Sequence, residues 1–178
     1  ASGVPAPPRT IHAGHVARES RGRTDHMATS PTSALHCFTG DDTGLLKRVR
    51  LSPQAKAGTL QRWGDQAAGG GVTSSCWGPN VTREQFVGAG YESGVVRFWD
   101  TSDESKAGAE AVVELAPSED AAPVSGVHVA GNTESDARVI SCDRLGCVRT
   151  WAWNPAGEAS EPLTSFQTGG AASVASFS

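Results

Sequence analysis

Residues Gly88-Ala89-Gly90-Tyr91-Glu92-Ser93-Gly94-Val95-Val96-Arg97-Phe98-Trp99-Asp100 (GAGYESGVVRFWD) carry two conflicting signals. The glycine-rich half follows the apolar pair Phe86-Val87, as a phosphate-binding loop follows a strand. A dinucleotide loop needs G-x-G-x-x-G and then a helix whose first N–H groups face the pyrophosphate. Here the glycines stand at 88, 90 and 94, one residue too far apart. The β-branched and aromatic run Val95–Trp99 favours a strand over a helix. No G-K-[ST] follows, which excludes a P-loop. The stretch reads instead as strand, tight turn and returning strand, with the glycines serving the hairpin.

The same pattern recurs along the chain. Gly44-Leu45-Leu46-Lys47-Arg48-Val49, Gly94-Val95-Val96-Arg97-Phe98-Trp99 and Gly146-Cys147-Val148-Arg149-Thr150-Trp151 share one layout. Each has a glycine, two apolar residues, a base, a variable residue and a large apolar one. The glycines lie 50 and 52 residues apart. A second register agrees: Val72 and Val124 each open an apolar stretch 22 residues before Gly94 and Gly146. A short apolar run precedes each glycine, around Leu35–Phe38, Gln85–Val87 and Arg138–Ser141. Further strand candidates lie at Ala111–Leu115 and Pro162–Phe166, and a short helix over Glu110–Leu115 competes on propensity. Units of about 40–50 residues with four antiparallel strands are the signature of propeller blades. In Val95–Trp99 both sets of alternating side chains include large apolar residues, which suits a sheet covered on both faces.

Composition sets outer bounds. The 178 residues include 21 Gly and 10 Pro, which predicts many turns and few long helices. A net charge of −4 provides no global basic field for nucleic acid or an anionic membrane. No run approaches the roughly 18 apolar residues of a membrane span. Cys37, Cys76, Cys142 and Cys147 form no C-x-x-C pair and read as small apolar residues in a reducing compartment. Residues 1–26 combine four arginines with Pro, Gly, Ser and His but no apolar periodicity. Residues 1–34 are therefore expected to be disordered, with Met27 as the natural start of translation. Residues 35–178 are expected to form part of a propeller, with units over 35–71, 72–123 and 124–173 and a further unit starting at 174–178.

The Arg97, Trp99 and Asp100 ending resembles the WD-repeat family, and Arg149 with Trp151 repeats it without the acid. The family's Gly-His dipeptide is absent, and the hairpin acids are displaced to Asp41-Asp42, Glu92 and Asp143. The blades are thus degenerate ones, in which the family's His–Ser–Asp–Trp network is incomplete. The order of HCFTGDDTGLLKRV, VTSSCWG, FVGAGYESGVVRFWD, RVISCDRLGCVRTW and EPLTSFQTGGAASV sharpens the match. It resembles the N-terminal part of the nucleolar, Nop-seven-associated type of WD-repeat protein. That resemblance covers residues 35–178, with weak matching over 50–70 and 101–123. It implies an all-β, seven-bladed propeller, of which this chain holds the first strand set and about two blades. It also implies a nuclear, nucleolar scaffold for precursors of the large ribosomal subunit and rRNA processing, with protein partners. Alone, such a piece is expected to expose strand edges and aggregate.

On this reading Gly44, Gly94, Gly146, Arg97, Arg149, Trp99, Asp100 and Trp151 are structural repeat positions. Asp41, Asp42, Arg83, Tyr91, Glu92 and Arg144 are the candidate partner-facing loop residues. Lys47, Arg48, Arg50, Arg62 and Trp63 compose a possible rRNA-contacting surface. No catalytic, cofactor-binding or metal-ligating residue is assigned, nor a small-molecule substrate or membrane partner. The sequence holds no G-x-S-x-G elbow and no HExxH, and Ser74-Ser75-Cys76 reads as strand interior. The competing function is a WD-repeat adaptor of another complex, such as the substrate receptor of a ubiquitin ligase.

Overall fold

A computed structural model describes residues 35–51, 58–67, 70–79, 85–102, 110–116, 122–131, 133, 135–155 and 161–170. The leader at 1–34, Arg83 and the further unit starting at 174–178 lie outside these residues. The described chain is all-β and builds three antiparallel sheets, none of them closed on itself. The first contains β1 (Leu35–Gly40), β2 (Leu46–Leu51) and β3 (Gly58–Trp63) in that order. The second contains β4 (Val72–Trp77), β5 (Phe86–Tyr91), β6 (Val96–Asp100) and β7 (Val113–Leu115). The third contains β8 (Val124–Ala130), β9 (Arg138–Asp143), β10 (Cys147–Ala152) and β11 (Thr164–Gln167).

Each sheet is a meander, so sequence neighbours pair. Phe86 opposes Asp100 and Gly90 opposes Val96, which places the turn at Glu92–Ser93–Gly94. The competing helix near residue 112 is absent, because Val113 and Leu115 pair with Phe98 and Val96. Both side chains are buried, so tertiary burial overrides the helical preference of the neighbouring Ala and Glu. The strand β3 was not legible in the sequence. It pairs with β2 through a register shift at Arg48/Val49, and only Gln61 and Trp63 among its described side chains are buried.

The second sheet is apolar on both faces, as its sequence predicts. Toward the first sheet, Val87, Ala89, Tyr91 and Trp99 join Leu46, Trp63 and Val72 in one cluster. Toward the third, Phe86, Val96, Phe98, Val113 and Leu115 join Val124, Val127, Val139, Trp151 and Trp153 in another. The inner edge shows the same order, with β4 against both β1 and β8. Trp153 meets Phe86 and Phe98 edge-on, at centroid distances of 5.1 and 5.0 Å. Phe98 is wholly buried, and burial of such a side chain contributes about 1.5–3 kcal/mol.

The glycines of the opening stretch divide into two roles. Gly94 has φ +83° and carries the turn. Gly88 and Gly90 lie in β5, the strand that leads into the turn, and neither has a positive φ, so packing and not turn conformation calls for glycine there. A Cβ on Gly88 would stand 2.3 Å from the Phe98 ring, and one on Gly90 would stand 2.5 Å from a Val124 methyl carbon. Both positions admit hydrogen alone because another side chain fills the space.

Candidate functional site

The three hairpins between β1 and β2, β5 and β6, and β9 and β10 are versions of one device. Gly44, Gly94 and Gly146 have φ of +97°, +83° and +80°. Each closes its turn by donating its N–H to the carbonyl three residues before, on Asp41, Tyr91 or Asp143. Three residues after each glycine stands a base: Lys47, Arg97 or Arg149. An acid at the first position satisfies the turn and holds the base at once.

In the first hairpin, Asp41 Oδ1 accepts from the N–H groups of Thr43 and Leu45 at 3.0 and 2.9 Å, while Oδ2 meets Lys47 Nζ at 2.5 Å. In the third, Asp143 Oδ1 accepts from the N–H groups of Leu145 and Cys147 at 3.0 and 2.9 Å. Its Oδ2 accepts from Arg149 at 2.9 Å. Desolvation raises the Asp41 pKa, but the Lys47 bond and the turn N–H groups outweigh it and hold the carboxyl down at about 2. An isolated acid on a turn would lack such a set of donors.

The second hairpin replaces the acid with Tyr91. The Arg97 guanidinium lies over the Tyr91 ring, 5.5 Å from its centroid, a cation–π contact in place of an ion pair. Arg97 Nε also donates to Glu114 on β7 at 2.7 Å. The buried Tyr91 hydroxyl donates to the Gly44 carbonyl at 3.2 Å, tying this hairpin to the first. Burial raises the Tyr91 pKa to about 12, with Arg97 pulling in the opposite direction.

Asp42, Glu92 and Arg144 are exposed at hairpin tips, where their side chains are open to solvent. Asp41 is half-buried in its ion pair, and Tyr91 is only 4% exposed with its hydroxyl turned inward. These two hold the frame together; the exposed surface belongs to the other three. Trp99 packs edge-on to Tyr91 at 6.4 Å, and Trp151 donates its Nε1–H to Ser141 Oγ at 3.2 Å. Asp100 caps the following turn through Ser102, accepting from its N–H at 2.9 Å and its hydroxyl at 2.6 Å.

The basic residues of the first sheet do not form one surface. Lys47 is committed to Asp41, and Trp63 is fully buried. Arg48 donates to Gln61 Oε1 at 3.2 Å and to His36 Nδ1 at 3.0 Å. Because guanidinium can only donate, that His36 nitrogen is an unprotonated acceptor. His36, Arg48 and Gln61 occupy the repeat positions of Phe86, Phe98 and Val113, so part of this sheet interface is polar where the next one is apolar. Arg50 and Arg62 remain exposed.

A cleft of about 250 Å³ opens beside the second hairpin, lined by Gly64, Asp65, Arg97, Trp99, Glu110, Ala111 and Glu114. Its lining includes three carboxylates, Asp65, Glu110 and Glu114, and one guanidinium, Arg97. All four cysteines are free thiols, and burial raises the Cys76 pKa to about 12, which suppresses thiolate chemistry. Among the described residues no group of three or more His, Cys, Asp or Glu is placed to hold a metal ion, and no helix is long and apolar enough to cross a membrane.

Two structural residues escaped the sequence reading. Gly40 and Gly90, each four residues before a hairpin glycine, seat Val72 and Val124, the first residues of the next sheets. The recurrence of a glycine at that offset was the available signal. No family model and no curated protein matches the chain.

Proposed function

We propose that the three sheets are successive blades of a WD-repeat propeller and that the protein is a non-catalytic scaffold in assembly of the large ribosomal subunit. The observation that carries the blade reading is the shared hairpin register. Glycine, base and large apolar residue recur at fixed offsets in three sheets, and consecutive sheets bury their faces against each other. The Arg97–Trp99–Asp100 ending and the order of segments along the chain support the family and the nucleolar, Nop-seven-associated type within it. In this role the buried hairpin frame positions the exposed tips, Asp42, Glu92 and Arg144, for protein partners in precursor particles. Arg50 and Arg62 are the exposed bases of the first sheet through which an rRNA contact would run.

Affinity purification of the tagged protein from nuclear extract tests this reading. Large-subunit precursor proteins in the eluate support it. Recovery of cullin-ligase components without ribosomal precursors would replace it with an adaptor of ubiquitin ligation.

A further inference from the structure

In the second sheet the hairpin base reaches across to the outermost strand. Arg97 stands opposite Glu114 of β7, and its Nε donates to the Glu114 carboxylate at 2.7 Å. In the third sheet the same register sets Arg149 opposite Ser165 of β11. Both bases stand three residues after their hairpin glycine, so Ser165 occupies the repeat position of Glu114. A hydroxyl therefore stands where the neighbouring sheet has an acid. The first sheet sets Arg62 there, opposite Lys47, and offers no hydroxyl.

The neighbours of Ser165 fix the side to which it points. Its Oγ lies 3.3 Å from the Sγ of Cys147, which is two residues from Arg149 in β10 and shares its face. That face is turned toward the second sheet, because Trp151, the next residue along it, joins the cluster with Phe86 and Phe98. The exposure of Ser165 thus does not depend on what covers the opposite face, where Val148 and Phe166 lie. Residues directly opposite on one face hold their Cβ atoms about 4.5–5.5 Å apart, within reach of a side chain as long as arginine.

Arg149 has donors to spare for a second anion. Its side chain is 15% exposed, and Nη1 donates to Asp143 Oδ2 at 2.9 Å. The other Asp143 oxygen is spent on the N–H groups of Leu145 and Cys147. Among the described residues Nη2 of Arg149 meets no acceptor, nor does Nε, the atom that Arg97 gives to Glu114. Strand β11 is the edge of its sheet and exposed along its whole length, which leaves Ser165 within reach of an enzyme.

We infer that Ser165 is a phosphorylation site whose phosphate is held by Arg149. A protein kinase transfers the γ-phosphoryl group of ATP to the hydroxyl. The bond from Ser165 Oγ to phosphorus forms, the bond from that phosphorus to the oxygen bridging to the β-phosphate breaks, and ADP leaves. The hydroxyl proton passes to the base of the kinase. The product carries a charge of about −1.5 to −2 at pH 7, and its oxygens accept from Arg149 as Glu114 accepts from Arg97. Phosphorylation thereby gives the third sheet, reversibly, the tie between outer strands that the second sheet has permanently. The inference rests on strand register and not on the ribosomal role, which affinity purification tests separately.

Two measurements test it. Mass spectrometry of the protein isolated from its own cells with phosphatase inhibitors present should find phosphate on Ser165. The full chain with phosphoserine incorporated at position 165 then tests the contact by phosphorus NMR. The second ionisation of the phosphate should lie at least about 0.5 pH lower in the folded chain than in the same chain unfolded in urea. Arg149→Gln in that chain should abolish the difference. Protein from its cells that carries no phosphate on Ser165 would overturn the inference. A phosphate that ionises alike in the folded and unfolded chains would overturn it equally.

Discussion

The Tyr91 hydroxyl donates to the carbonyl of Gly44, 47 positions earlier in the chain, in a buried hydrogen bond of 3.2 Å. The residue that replaces the hairpin acid thereby joins two sheets instead of closing only its own turn. Tyr91→Phe keeps the ring under Arg97 but removes the donor. The variant should lose about 1–2 kcal/mol of unfolding free energy, since the carbonyl loses its buried partner. Urea unfolding followed by tryptophan fluorescence reads this directly, and an unchanged midpoint would show the tie to be dispensable.

Glycines of similar appearance should respond differently to a methyl group. Gly88→Ala places a Cβ against the buried Phe98 ring, and Gly90→Ala places one against Val124. Each should cost about 1–3 kcal/mol through overpacking. Gly58 is exposed and has nothing within 4 Å of an added Cβ, so Gly58→Ala should change stability by no more than about 0.5 kcal/mol. Thermal melts of the three variants give the ranking.

The two hairpin acids should also separate. Asp143 is 3% exposed and satisfies both its turn and Arg149. Asp143→Asn leaves a largely buried guanidinium unpaired and should cost about 3 kcal/mol or more. Asp41→Asn removes a half-exposed pair and should cost about 1 kcal/mol or less, in the range of surface ion pairs. Equal losses would contradict the difference in burial.

The depressed pKa of Asp41 makes a stability contribution with a defined pH window. Its folded value of about 2 lies below the ordinary aspartate value of 3.8, so the contribution is fully present above about pH 4. It is lost progressively as pH falls from there through 2. Acid titration of the wild type and Asp41→Asn should give stability curves that converge in that interval. Curves that remain parallel would show that Asp41 is not held in the charged form.

Cys76 reports on the opposite effect. Burial raises its pKa to about 12, so its thiol should resist alkylation at pH 8 while the chain is folded and react once it is unfolded in urea. Because the folded pKa lies above the ordinary thiol value of 9.0, stability should fall as pH rises from about 9 toward 12. Rapid alkylation of Cys76 in the native protein would show that β4 opens locally.

The repeat was legible because its signals are local. Hairpin glycines need positive φ, and alternating apolar residues record the two faces of β6. The strands group into three sheets, over Leu35–Trp63, Val72–Leu115 and Val124–Gln167. Sequence failed where a residue's role is set by a neighbour distant in the chain. Tyr91 reads as an exposed turn residue until Gly44 is placed beside it. Gly90 reads as a glycine that serves the hairpin until Val124 occupies the place of its missing side chain. Arg48 reads as a surface base, yet its partners His36 and Gln61 lie on the two flanking strands. The short β3 was hidden because its alternation is broken by a register shift and much of it is exposed.

The proposed function is a scaffold of repeated blades retained on precursors of the large ribosomal subunit. Gradient sedimentation of nuclear extract, probed for the tagged protein and for precursor rRNA in each fraction, tests it most directly. In the proposed role the protein should co-sediment with large-subunit precursors and shift to light fractions when precursor rRNA synthesis is blocked. A protein confined to light fractions under both conditions would contradict it.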